Sequence, residues 1–284
     1  MRQLFLLNTA PSLCCAIGAV ISALLYGVGL IRLWRRAGMG HGVTFWQVAC
    51  FILGWCAAAL PAVTALHKLG RQVFVLHMLE HEILMVLAAP LLILARPLPV
   101  FLWGLPASAR RRVRTATHSG PAPALWRWLT QPRNATALQG IALWAWHWPP
   151  FFQIALLYES AHIVQHLSFL TTALLFWWSV LAPQALRAGP IPAVLALFVT
   201  TLHTSLLGAW VTFSRGFWYS EPYLGAFCGL SRAQDQQLAG LLMWIPASLI
   251  YVGAALYLIS TMFEKDLGHN SYRSGGQVLT AGPN

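Results

Sequence analysis

The stretch HMLEHEILMVLAAPLLIL, residues 77–94, decides the fold. It lies inside an apolar segment of about 72–95, close to the ~20 residues that a helix needs to cross a bilayer. Such a segment normally carries Leu and Val, yet this one also carries His77, Glu80, His81 and Glu82. Ionisable groups in hydrocarbon are costly and face a bundle interior or a wet cavity. The stretch therefore predicts a membrane helix with a polar face turned inward, and a site on that face.

Working outward, the chain reads as an all-α, multi-pass transmembrane bundle. Of its 284 residues 58% are hydrophobic and only 9% charged, where a soluble protein carries about 25% charged residues. Seven apolar segments are predicted, at about 12–34, 43–66, 72–95, 135–150, 160–183, 190–212 and 236–262. WAWHWPPFF, with Pro149-Pro150, interrupts the fourth, and a proline pair ends or kinks a helix. Residues 1–264 form the membrane domain, with a basic loop at about 96–134. The Gly-, Ser- and Asn-containing tail 265–284 is expected to be unstructured. The first apolar run is too long for a signal peptide and reads as a span.

The net charge of +11 would suggest nucleic acid in a soluble chain. Here no nucleic acid is expected: the cations sit between spans and contact lipid headgroups. With the N-terminus outside, Arg2, Lys68, Arg71, Arg215 and Arg232 remain outside, and the other thirteen of 18 Lys and Arg fall in cytoplasmic loops. The positive-inside rule thus favours N-out, C-in, in a bacterial inner (cytoplasmic) membrane. The cysteines Cys14, Cys15, Cys50, Cys56 and Cys228 include no CxxC. They read as small hydrophobes in place of a disulfide framework.

That topology gathers histidines. His77 and His81 enter at the outer end of the third span, His147 at that of the fourth, and His162 and His166 at that of the fifth; His203 sits near mid-depth. His77–His81 and His162–His166 are both i, i+4 pairs, which share a helix face one turn apart. Two imidazoles so placed can hold one metal, and a thioether such as Met85 suits Cu(I). The candidate metal set is His77, His81, His162, His166, His147 and His203. Glu80, Met85, Asp235 and Met243 are additional or supporting candidates.

The same residues admit other chemistries. His77-Met-Leu-Glu80-His81 fits the H-x-x-E-H zinc-protease pattern. The companion segment carries Gln165 where the first has Glu80, and Gln cannot act as a base, so the shared element is the histidine pair. Two opposed helices could also hold haem between bis-His ligands. No P-loop, dinucleotide fingerprint or nucleophile elbow is present, and the chain is not expected to be an enzyme.

Four ordered blocks carry a family resemblance. They are HMLEHEILMVLAAPLLIL; LWAWHWPPFFQIAL followed by AHIVQHLSFLTTALLFWW; LHTSLLGAWVTFS with Trp218-Tyr219 beyond it; and GLSRAQDQQLAGLLMWIP. The chain resembles the polytopic CtaG-like family of caa-type cytochrome c oxidase assembly factors. The resemblance implies maturation of the oxidase and involvement of its copper centres, with oxidase subunits or other assembly factors as partners; a homodimer stays open. Glu80 stands where the family pattern has Gln, Ala89 where it has a second Pro, and Glu82 is an extra carboxylate. The alternative under the same resemblance is a non-metal scaffold, in which the histidines hydrogen-bond between helices.

Overall fold

The computed structural model describes residues 2–63, 69–70, 73–183, 189–218 and 229–278, with side chains for 16–59, 69–70, 73–183, 189–218 and 229–261. Cys14, Cys15, His67, Lys68, Arg71, Tyr219 and Cys228 fall outside the described side chains. Among the described residues the chain is helical, with no strand. The helices are α1 (Arg2–Ala37), α2 (Phe45–Val63), α3 (Phe74–Ala95), α4 (Pro97–Gly104), α5 (Ala107–His118), α6 (Ala122–Leu129), α7 (Pro132–His147), α8 (Pro149–Leu157), α9 (Glu159–Leu181), α10 (Ile191–Phe213) and α11 (Arg232–Val278).

Among the described residues five helices are long and apolar enough to cross a membrane: α1 from Ala16, α3, α9, α10, and α11 as far as Thr261. Their apolar side chains turn outward as well as inward. Phe198, Leu202, Leu249 and Leu256 are all largely exposed, which suits helices facing hydrocarbon, where backbone groups are satisfied internally. The chain is a membrane protein.

Of the seven expected segments, five correspond to these helices and the other two to shorter ones among the described residues. The second is a shorter apolar helix over Phe45–Ala59 among the described side chains. The fourth is α7, whose 16 residues span about 24 Å at ~1.5 Å each. Trp148 then adopts an extended ψ of 126°, and Pro149-Pro150 starts the separate helix α8. The stretch expected as a basic loop at 96–134 folds into α4, α5 and α6. α11 continues past Lys265, where the sequence reading ended the membrane domain.

Two apolar clusters hold the helices together. The larger joins α3 to α7–α11 through residues such as Phe74, Phe169, Phe176, Trp177, Leu207 and Tyr251. The smaller joins α1, α2 and α4; there Tyr26 stacks on Phe51 with centroids 3.5 Å apart, and Phe101 meets both edge-on. Arg32 Nη1 donates to the Gly104 carbonyl at the end of α4, at 2.8 Å. A cation there complements the helix dipole.

α3 is not uniform. Ile83–Ala88 forms a π-helical turn, so the register changes directly after His81 and Glu82. Such turns occur often at functional sites. The helix ends at Arg96, whose φ of +48° is left-handed. Pro97 then opens α4.

Candidate metal centre

The site is built where α3 and α9 face each other near their N-terminal ends. α3 presents His77 and His81 with ring centroids 4.4 Å apart. α9 presents His162 and His166 at 4.3 Å. Across the interface His77 stacks on His162 at 5.0 Å, and His81 meets His166 edge-on at 5.1 Å. The i, i+4 spacing thus does what the sequence suggests, and the two pairs oppose one another.

Ligand atoms of His77, His81 and His162 all lie within 4.8 Å of one another, as do those of Glu80, His162 and His166. Nitrogens bound at ~2.0–2.1 Å around a tetrahedral ion stand roughly 3.3 Å apart, so modest side-chain rotation closes either group on one cation. Neither His81 ring nitrogen has a hydrogen-bond partner among the described residues. Glu80 Oε2 stands 3.6 Å from His166 Nε2. His77, Glu80 and His162 have no solvent exposure.

The surroundings hold the rings in place. Phe152 meets His77 edge-on at 5.2 Å, and Phe169 meets His81 at 4.7 Å. At Gly70 an added Cβ would lie 3.0 Å from Glu80 Oε1, so the missing side chain leaves room for the carboxylate. Glu159 lies one turn before His162 on the same face and is buried. Gly70, Phe152, Phe169 and Glu159 were not singled out from the sequence. Glu159 was within reach of helical spacing, at i−3 from His162; the others come close only through the packing of separate elements.

The remaining predicted residues fall in different places. His147 stands at the edge, its ring 6.1 Å from His81. Its Nδ1 donates to the Leu143 carbonyl at 2.7 Å, which leaves the Nε2 lone pair, 3.4 Å from Met78 Sδ. Met78 is therefore the thioether beside a histidine. Met85 and Met243 belong to the apolar core, and Met85 lies within the π-helical turn, which breaks the stripe that an unbroken α-helix would continue. His203 packs on α7, its Nε2 3.6 Å from where a Cβ on Gly140 would stand, and belongs to neither ligand group. Asp235 accepts from the Phe74 and Val75 amides at 2.9 and 3.0 Å, capping α3, whose Val73 N-cap offers no side-chain bond.

Fold and site define a polytopic helical membrane protein with a buried histidine–carboxylate cluster near one end of its bundle. The family model for the cytochrome c oxidase caa3 assembly factor matches residues 24–265, and the chain belongs to that family. Neither the curated proteins nor the solved structures returned a match.

Proposed function

We propose that this oxidase assembly factor handles copper, binding Cu(I) at the cluster of His77, His81, His162 and His166 and passing it to an oxidase subunit in a bacterial inner membrane. The observation that carries the reading is the convergence of His77, His81 and His162, with ligand atoms within 4.8 Å of one another. Neutral imidazole suits copper, and Met78 beside His147 adds a soft donor close by. Glu80 orients His166 by hydrogen bonding or takes a place in the ligand set. A cluster with more donors than one ion needs permits exchange of ligands, as a carrier requires. The reading assigns no bond-making chemistry to the chain; copper is its cargo.

The test is copper content and the visible spectrum of detergent-purified protein after Cu(I) loading under reducing conditions, beside the His77/His81 and His162/His166 double alanine variants. Near-stoichiometric copper in wild type, lost in both variants without loss of fold, is the expected result. A Soret band would replace copper by haem. Folded protein holding neither would leave a scaffold whose histidines serve helix packing.

A further inference from the structure

A second polar group lies where α7 packs on α10, in neither ligand group of the histidine cluster. On α7, Thr136 and Gln139 follow one another at i, i+3; on α10, Thr200 and His203 do the same. All but His203 are at least nine-tenths buried. Thr136 Oγ1, Gln139 Oε1, Thr200 Oγ1 and both His203 ring nitrogens make no hydrogen bond among the described residues.

The threonines are informative because their neighbours behave differently. On α10, Thr201, Thr204 and Thr212 each donate to the carbonyl four residues back, at 2.8 Å. That is the ordinary way for a helical Thr to satisfy its hydroxyl. Thr200 and Thr136 do not take it, although the same carbonyl geometry is open to them. An unpaired polar atom in an apolar interior is costly because nothing replaces its lost hydration. The polar atoms left over on these four side chains between two helices suit a ligand with several small hydrogen-bonding contacts. Buried water has that character, with ~2–4 polar partners per molecule.

Thr136 also lines an open groove of about 530 Å³ between α7 and α10 whose walls include Gln131, Arg133 and Pro192 and the outward-facing Leu195 and Val199. That is the arginine-bearing end of the bundle. Deeper in, Gln139 lies within hydrogen-bonding reach of Tyr251, which in turn neighbours Glu82. We infer that Thr136, Gln139, Thr200 and His203 line a hydrated polar pocket that continues the groove beside Arg133 and admits water to mid-bundle, as far as Tyr251. This pocket is separate from the histidine cluster and independent of copper.

The experiment is cysteine accessibility in sealed membrane vesicles of both orientations, using a charged, membrane-impermeant methanethiosulfonate. Wild type, with its own cysteines, sets the background. Thr136→Cys and Thr200→Cys are expected to react at least tenfold faster than Phe198→Cys, whose side chain is 63% exposed on the outer surface of α10, and only from the arginine-bearing side. Reaction of Thr200→Cys at the Phe198→Cys rate overturns the inference, as does reaction at Thr136→Cys alone. Hydroxyl-radical footprinting of the wild-type protein decides the matter if a variant misfolds. Oxidation of buried Tyr251 and of His203 well above that of buried Phe176 supports the pocket; oxidation no greater than at Phe176 overturns it.

Discussion

Asp235 of α11 caps the helix that begins at Phe74, 161 residues away in the chain. Both carboxylate oxygens are used, one on the Phe74 amide and one on that of Val75. The first amides of a helix have no partner within it, and an anion there also complements the helix dipole. The cap therefore fixes the end of α3 that carries His77 only three residues further on.

Asp235→Ala removes both acceptors from buried amides. We expect unfolding stability to fall by about 2 kcal/mol, in the upper range for loss of a cap. Asp235→Asn keeps one strong acceptor and should fall between. Thermal unfolding in detergent, followed by circular dichroism, measures both; an unchanged midpoint in Asp235→Ala would remove the cap from the account.

His77 and His162 stack across the helix interface, so their effects on copper should not add. Each single alanine variant is expected to weaken Cu(I) binding by at least a hundredfold. The double variant should be little worse than either, since one missing ligand already opens the set. Competition with a Cu(I) chelator reads this, and full additivity would mean that the two rings serve separate ions.

Glu80→Gln keeps the shape and one accepting oxygen of the side chain but not its charge. A supporting group of this kind typically changes metal affinity by 10–100-fold. We expect about tenfold for Glu80→Gln, with a larger loss for Glu80→Leu, which cannot hydrogen-bond His166. Equal losses would make the carboxylate itself a copper ligand.

Gly208 and Gly240 set the approach of α10 to α11. A Cβ on Gly208 would lie 2.9 Å from the Gly240 carbonyl oxygen, and one on Gly240 would strike Gly208 and Thr212. Small residues at such crossings let backbones meet. Gly240→Leu should separate the helices and lower stability by at least 2 kcal/mol, within the range for overpacking, whereas Gly253→Leu, with nothing within 4 Å, should be neutral. The two midpoints measured side by side test this.

Much of the site was legible in the sequence because an i, i+4 pair is a local property: helical periodicity alone puts His77 beside His81 and His162 beside His166. The π-helical turn at Ile83–Ala88 alters the helical period between His81 and Met85, and nothing in ILMVLA announces it. From the sequence Asp235 reads as a supporting candidate for the metal site, whereas its role as a cap on α3 depends on where α11 begins in space.

The sequence by itself determined that this is a helical membrane protein, because long uncharged apolar runs leave the backbone no other way to satisfy its hydrogen bonds in lipid. It also determined which helix faces carry histidine. Which faces meet was decided by tertiary structure. Packing between α3 and α9 brings His77 onto His162 and Glu80 toward His166, Gly70 makes room for the carboxylate, and His203 is placed against α7, apart from both ligand groups. These contacts join residues ten or more positions apart, and their geometry follows from side-chain fit between separate elements, which no local period encodes.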